Sequence, residues 1–170
     1  MDKQIKAHYP QCVANDCLWH SNLEHIFIKD EEANKCIQVA DPSIAHFTIE
    51  NKEEKNVSFL AIDKCIFNDQ SGHKKCDFAF YDLDTFAFVE IKDTHKRKSS
   101  KKKQAKQQLE TTLQHFLTKI NFTGYQLRVI ISWRYRPTRP AATTAMQAAK
   151  LDFLEKYDAL LTEGNSFVLE

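Results

Sequence analysis

Three short apolar runs, separated by turn signals, constrain the fold of this chain more than any other feature. They occupy residues 56–67, 75–81 and 85–92, and they are rich in the Phe, Val and Ile that favour pleated strands. Asn68 to Gly72 forms a turn signal between the first two runs. Asp82-Leu83-Asp84 is short enough to close a hairpin between the second and the third. The pattern predicts an antiparallel meander.

Further helices and strands are predicted on both sides of the meander. A helix over residues 100–120 is followed by a strand over 126–135, a helix over 141–161 and a short edge strand over 167–169. Residues 16–28 are predicted to form an N-terminal helix. The apolar stripe of the helix over 100–120 consists of Ala105, Leu109, Thr112, Leu113, Phe116, Leu117 and Ile120, and Leu160 closes the stripe of the last helix.

The whole chain, residues 1–170, is predicted to be a single α/β domain in which helices flank a mixed sheet. Residues 1–55 would form a helical or irregular part, residues 56–135 the core, and residues 136–170 a C-terminal helix and edge. No internal repeat divides it.

Strand alternation brings charged side chains together at one end of the predicted meander. Asp77 shares a face of its strand with Ala79 and Tyr81, and Glu90 and Lys92 share a face of the next strand. The short hairpin would place Asp77 within reach of Glu90 and Lys92.

Two neighbouring carboxylates repel each other unless a cation lies between them. Carboxylate and carbonyl oxygens suit Mg²⁺ or Mn²⁺, so Asp77, Glu90 and the backbone carbonyl of Ile91 are the predicted metal ligands. Such a metal can activate water and stabilise charge on a phosphate. Lys92 could orient the attacking water or neutralise developing negative charge. The predicted chemistry is metal-dependent phosphodiester hydrolysis.

Asp77 followed by Glu90-Ile91-Lys92 at the end of an apolar strand resembles the PD-(D/E)xK nuclease superfamily, which has a restriction-endonuclease-like fold. The resemblance covers residues 57–135 and implies an αβββαβ core, which agrees with the predicted order of elements. Cys76 stands where the name-giving proline would be. The family also implies a glutamine on the following helix, for which Gln104, Gln107 and Gln108 are candidates and Gln108 is preferred.

Many members of this superfamily carry a further acid on the first helix. Glu24 is the preferred candidate here, with Glu31, Glu32 and Glu50 as alternatives. Asp63, at the end of the first predicted strand, could supply an extra metal ligand.

The charge distribution favours an anionic partner for the second half of the chain. Residues 1–90 hold 9 Lys/Arg and 16 Asp/Glu, whereas residues 91–170 hold 15 and 7. The resemblance and this basic half together predict DNA as the substrate, with RNA as a second candidate. The predicted phosphate-binding residues are Lys96, Arg97, Lys98, Lys101, Lys102, Lys103, Lys106, Arg134 and Arg136.

Other interpretations of these residues remain open. Asp77, Glu90 and Lys92 could form an ordinary exposed ion-pair cluster, and the basic residues could be solvated loop charges. Alternatively, the nuclease scaffold could be inactive and bind a protein partner as an immunity, antitoxin or adaptor protein. Many nucleases of this kind act as homodimers, although this sequence does not specify an oligomeric state.

The cysteines and the N-terminus predict a cytoplasmic protein without a membrane segment. Five cysteines cannot all pair within one chain, and Cys65 and Cys76 are interpreted as free, buried thiols. The N-terminus lacks an apolar signal region. Cys12, Cys17, His20 and His25 are residue types that bind zinc, but their spacing matches no common zinc finger.

Overall fold

The computed structural model describes residues 1–31, 33–67, 75–92, 98–134 and 143–170, and the side chains of residues 98 and 99 are outside this description. The strands are β1 (Leu18–Ser21), β2 (His25–Lys29), β3 (Ile37–Val39), β4 (Phe47–Glu50), β5 (Val57–Ala61), β6 (Phe78–Tyr81), β7 (Thr85–Lys92), β8 (Gln126–Trp133), β9 (Ala159–Glu163) and β10 (Ser166–Val168). The helices are α1 (Asp2–His8), α2 (Gln11–Ala14), α3 (Lys98–Leu117) and α4 (Thr144–Tyr157), and a short 3₁₀ turn spans Pro42–Ile44.

The larger sheet has the strand order β1-β5-β6-β7-β8-β9. Its first four strands are antiparallel, which confirms the predicted meander, and β7, β8 and β9 are parallel. The hairpin between β6 and β7 is also confirmed, because the Asp82 carboxylate accepts hydrogen bonds from the N–H groups of Asp84 and Thr85. The predicted turn at residues 68–72 lies outside the described residues.

The helices lie on one face of this sheet. Phe116 of α3 packs edge-on against Phe88 of β7, and the Tyr157 hydroxyl of α4 bonds to Glu110 and Gln114 of α3. The predicted stripe of α3 is buried apart from Leu117, which is 40% exposed at the end of the helix. The α/β class, with a mixed sheet flanked by helices, is therefore confirmed.

A second, four-stranded sheet covers the other face of the larger sheet, and this was not predicted. Its order is β10-β4-β2-β3, with β10 parallel to β4 and the other pairs antiparallel. Phe47 of β4 packs against Phe78 and Phe80 of β6. Part of the predicted irregular segment therefore forms a layer of the core.

The predicted helix over residues 16–28 is wrong, because this segment forms β1 and β2 instead. Ile26 and Ile28 alternate toward the core, whereas Leu23, which the helical stripe would bury, is exposed between the two strands. The apolar residues of this segment therefore follow the two-residue repeat of a strand, although their spacing also fits a helix.

The predicted C-terminal helix is too long. Asp158 adopts a left-handed conformation (φ 51°) that ends α4, and the chain continues into β9 alongside β8. Leu160 is therefore an exposed strand residue and belongs to no helical stripe. The predicted edge strand at residues 167–169 is present as β10, at the edge of the smaller sheet.

A disulfide joins Cys17 and Cys65, so the prediction that Cys65 is a free thiol is wrong. Cys12, Cys36 and Cys76 are free and buried. Disulfides are typical of oxidising compartments, so the cysteines give no support to the predicted cytoplasmic location. Within the described parts of the chain, no helix is both long and apolar enough to cross a membrane.

Candidate active site

Asp77 lies in the segment that leads into β6, and helix α3 holds this segment. The Cys76 N–H donates to Thr112 Oγ1 of α3 (2.8 Å), and Gln108 Nε2 of the same helix donates to the Lys75 carbonyl (3.0 Å). The Asp77 N–H donates to the Val89 carbonyl of β7 (3.2 Å), and the Ile91 N–H of β7 donates to Asp77 Oδ2 (2.5 Å). The Asp77 carboxylate is thereby fixed beside the end of β7.

Glu90 and Lys92 lie on the face of β7 that is covered by α3. Glu90 is only 1% exposed, and its Oε1 lies 2.5 Å from Lys92 Nζ. Lys92 Nζ also donates to Gln108 Oε1 at 2.6 Å. A single glutamine, buried on α3, therefore holds both the ammonium group of Lys92 and the segment before Asp77.

One carboxylate oxygen of Glu90 differs from the other polar atoms of this cluster. Glu90 Oε2 is buried and has no hydrogen-bond partner among the described residues. A buried polar atom without a partner costs about 1–3 kcal/mol, and more when it is charged. A group with such a cost calls for an explanation, for which an unlocated ion or water is a standard candidate.

The carboxylates of the cluster resist ionisation. Burial and, secondarily, the nearby Asp30 carboxylate raise the pKa of Asp77 to about 7, against the opposing effects of the Ile91 N–H and Lys92. Burial and the neighbouring Asp77 raise the pKa of Glu90 well above its usual range, although Lys92 opposes this shift. A bound cation would relieve both effects.

The donor set fits a hard divalent cation that keeps several waters. Magnesium is commonly held by one or two carboxylates together with waters and substrate oxygens. Asp77 and Glu90 supply two carboxylates. The Ile91 carbonyl points to the same side of β7 as the Ile91 N–H, toward Asp77, as strand geometry requires. Among the described residues, however, no group of three or more His, Cys, Asp or Glu side chains is arranged to hold a metal.

Two further carboxylates lie near this cluster. The Asp63 N–H donates to the Asp77 carbonyl (3.2 Å), so Asp63 is close to Asp77, as the sequence predicts. Asp30, directly after β2, lies near enough to raise the pKa of Asp77. The sequence interpretation missed Asp30 because residues 16–28 were assigned to a helix. The alternation of Ile26 and Ile28 is the signal that could have located it at a strand end.

The preferred first-helix acid, Glu24, does not lie on a helix and does not reach the cluster. It stands in the turn between β1 and β2, where its side chain is 62% exposed. Six residues of extended chain, about 20 Å, separate it from Asp30 at the site end of β2. Glu50 pairs with His25 at the same distant end, and Glu31 forms an ion pair with Lys29. Glu32 lies outside the described residues.

Glu163 is a buried acid that the sequence analysis did not single out. In the register of the parallel strands, Glu90 lies beside Ile131, and Ile131 lies beside Glu163. Glu163 is therefore on the same face as Glu90, two strands away. Its Oε1 lies 2.7 Å from Lys102 Nζ of α3. The predicted helix over residues 141–161 takes in the first three residues of β9, so the strand alternation that places Glu163 is not evident from the sequence.

The predicted phosphate-binding residues have different environments. Lys103 is exposed near the start of α3, and Lys101 and Lys106 are half-buried. Lys102 is engaged with Glu163. Arg134 is buried and donates to Asp30 Oδ2 at 2.9 Å, so it is neither a solvated loop charge nor an exposed phosphate contact. Lys96, Arg97 and Arg136 lie outside the described residues, as does the side chain of Lys98.

The remaining predicted residues are also located. Gln104 and Gln107 are exposed, which leaves Gln108 as the glutamine that faces the cluster. Cys17 is bonded to Cys65 and cannot act as a zinc thiolate, and His20 bonds to Ser58.

Comparison with protein-family models, with curated proteins and with solved structures finds no match for this chain.

Proposed function

We propose that this protein is a divalent-cation-dependent nuclease that hydrolyses phosphodiester bonds in DNA, with RNA as the second candidate substrate. The observation that carries the proposal is the cluster of Asp77, Glu90, Lys92 and Gln108, in which Glu90 and Gln108 are buried and one oxygen of Glu90 lacks a partner among the described residues. An ordinary exposed ion pair would be solvated on both sides, whereas Glu90 is almost fully buried.

The arrangement of elements supports the proposal at the level of the fold. The order β5-β6-β7-α3-β8 follows the βββαβ part of the superfamily core, and α3 crosses between the parallel strands β7 and β8. The helix that precedes this core in the superfamily corresponds best to α1 or α2, although neither carries an acid to the cluster. The restriction-endonuclease-like assignment belongs to the proposal.

Asp77, Glu90 and the Ile91 carbonyl would hold Mg²⁺ or Mn²⁺. When bound, such an ion lowers the pKa of water and offsets negative charge on a phosphate. The Ile91 N–H fixes the Asp77 carboxylate, and burial excludes competing water from Glu90. The ammonium group of Lys92, held by Gln108, is positioned to orient a water molecule or to balance charge that develops on the phosphate.

Basic residues near the start of α3 support contact with the nucleic-acid backbone. Lys103 is exposed and Lys101 and Lys106 are half-buried, and all three lie in the first half of this helix. Lysine contacts to phosphates supply affinity that falls with salt, and they carry no sequence information directly. We therefore propose binding with little sequence specificity.

An inactive scaffold that binds a protein partner is the second candidate. The observation that favours it is that the Lys92 ammonium already neutralises Glu90, at 2.5 Å, without any cation. If this ion pair is the final state of Glu90, the residues serve to hold the sheet end together. The two candidates differ in whether Mg²⁺ binds at all.

Cleavage assays separate the candidates. Purified protein is incubated with plasmid, single-stranded DNA and RNA, with Mg²⁺, Mn²⁺ or a chelator, alongside Asp77→Ala and Lys92→Ala. The nuclease proposal expects metal-dependent cleavage of at least one substrate by the wild type and its loss in both variants. Absence of cleavage, or variants as active as the wild type, would contradict it.

A further inference from the structure

The opposite end of the larger sheet holds a second polar cluster, which the proposed nuclease chemistry does not use. His20 of β1, Ser58 of β5 and Tyr81 of β6 occupy one row across three adjacent strands. Asp2 of α1 completes the cluster. Four residues of strand, about 13 Å, separate this row from Asp77, so the two clusters are distinct.

The contacts within this cluster run from a serine to a carboxylate. Ser58 Oγ lies 3.0 Å from His20 Nδ1, and His20 Nε2 lies 3.4 Å from Asp2 Oδ2. The Tyr81 hydroxyl donates to the other oxygen, Asp2 Oδ1, at 2.7 Å. The carboxylate therefore has one oxygen fixed by Tyr81 and the other turned toward the imidazole.

The position of the imidazole between Ser58 and Asp2 determines which of its nitrogens can accept a proton. The tautomer with its proton on Nε2 directs that proton toward Asp2 and leaves Nδ1 as an acceptor for the Ser58 hydroxyl, which also has a hydrogen-bond contact with Tyr81. A serine with a base in hydrogen-bond reach, and that base oriented by a third group, is the general arrangement of an activated nucleophile. It is recognised by geometry and not by the order of residues in the chain.

The cluster opens into a cavity. A cavity of about 600 Å³ is lined by Ser58, His20, Asp2 and Tyr81, together with apolar surface from Leu83 and Tyr125. This volume lies within the range that small-molecule sites occupy. Lys3 and Lys55 also line the cavity, together with Asp82 and Asp84. The Lys55 ammonium pairs with Glu53, so Lys3 is the candidate for stabilising negative charge that develops on a carbonyl oxygen. Ser58 is 6% exposed, at the floor of this space.

We infer that Ser58 is a nucleophile, with His20 as its base and Asp2 as the orienting carboxylate, and that the cavity accepts a small carboxylic ester. In the first step the Ser58 Oγ–carbonyl carbon bond forms, the hydroxyl proton passes to His20 Nδ1, and the ester C–O bond breaks. The leaving alkoxide takes that proton. Water then releases the acid and regenerates Ser58, with His20 again carrying the proton.

A fluorophosphonate probe tests this assignment on the full-length protein. The Ser58 oxygen would form a bond to phosphorus, fluoride would leave, and the proton would pass to His20. Mass spectrometry should find one adduct on the peptide that contains Ser58, and turnover of p-nitrophenyl acetate should fall in parallel with labelling. His20→Gln keeps a hydrogen-bonding side chain but cannot act as a base, and it should slow labelling about 100-fold or more.

Three controls distinguish a loss of labelling at Ser58 from misfolding and from an effect of the proposed nuclease site. Ser132→Ala removes another buried serine, in β8, and should label like the wild type. A chelator should leave labelling unchanged, because no metal is involved. Circular dichroism identifies variants that have not folded. Folded wild-type protein without an adduct at Ser58, or a labelling rate that His20→Gln does not change, would overturn the inference whatever the outcome of the nuclease assays.

Discussion

The two ends of the larger sheet carry polar clusters of opposite character. At the end where β7 terminates, Glu90 is buried, and one of its oxygens has no partner in the part of the chain that the structure describes. Burial raises the pKa of both Asp77 and Glu90. At the opposite end, beside the hairpin between β6 and β7 (the hairpin end), both oxygens of Asp2 have a partner. His20 and Asp2 are partly exposed there. In our proposal a cation completes the first cluster, whereas the second cluster opens into a cavity. The two ends of one sheet therefore differ in burial and in the partners of their carboxylates, and we propose a different chemistry for each.

Lys92→Ala should produce the largest difference between the two ends. It removes the ammonium group from the buried cluster, and loss of one such charge-stabilising group costs about 10²–10³ in rate. Nuclease turnover should fall by that factor, and fluorophosphonate labelling of Ser58 should persist. Lys150→Ala, an exposed lysine of α4, is the charge-matched control. Equal loss of turnover in the two variants would mean that Lys92 acts only through net charge.

Removal of the disulfide should weaken the Asp77 end more than the hairpin end. Cys17–Cys65 joins the start of β1 to the segment that carries Asp63. A Cys17→Ser/Cys65→Ser variant should lose about 2–4 kcal/mol of unfolding free energy, measured by denaturant titration. Hydrogen exchange should rise first around residues 61–67. Uniform loss of protection across the sheet would contradict this local effect.

The metal-free protein should become less stable as the pH rises from 5 to 7.5. Asp77 binds its proton more tightly in the folded state, with a pKa of about 7, than in the unfolded chain, where the reference value is 3.8. The stabilising contribution is therefore full below pH 4 and is lost as the pH rises through 7. The loss should be on the order of 2 kcal/mol between pH 5 and 7.5.

Thermal unfolding in a chelator measures this pH effect. Asp77→Asn cannot ionise, so its unfolding temperature should depend less on pH over the same range. Mg²⁺ at pH 7.5 should raise the unfolding temperature of the wild type more than that of the variant. Parallel pH profiles for the two proteins would show that Asp77 does not titrate in this window.

Tyr81→Phe should have the smallest effect and should be confined to the hairpin end. It removes the hydrogen bond to Asp2 and should cost about 0.5–1.5 kcal/mol of unfolding free energy. Nuclease activity should not change, because the residue lies about 13 Å from Asp77. A large loss of cleavage in this variant would mean that the two ends are coupled.

The sequence predicts the middle of the molecule better than its flanks. Residues 85–92 alternate over eight positions and their hairpin is short, so pairing and register follow from local pattern. In residues 16–28 the same apolar residues fit a helix and a strand, and only packing of Ile26 and Ile28 against the core decides between them. Short apolar segments carry too little local information to choose.

The sequence predicts the site residues that come from consecutive strands. It does not predict those that come from strands far apart in the chain. Asp77, Glu90 and Lys92 lie on adjacent strands joined by a short turn. Asp30 follows β2 and Glu163 ends β9, two strands most of whose residues are predicted as helix. Arg134 pairs with Asp30 across 104 residues. The Cys17–Cys65 bond spans 48 residues and leaves no trace in local spacing.

We propose that a divalent cation completes the Glu90 end of the sheet. Electron paramagnetic resonance of Mn²⁺, titrated into the wild type and into Glu90→Gln, measures free and bound ion directly, without a nucleic-acid substrate. We predict one Mn²⁺ bound per chain, displaced by excess Mg²⁺, and strongly weakened binding in the variant. Absence of bound Mn²⁺, or equal binding by Glu90→Gln, would contradict the claim and favour the inactive scaffold.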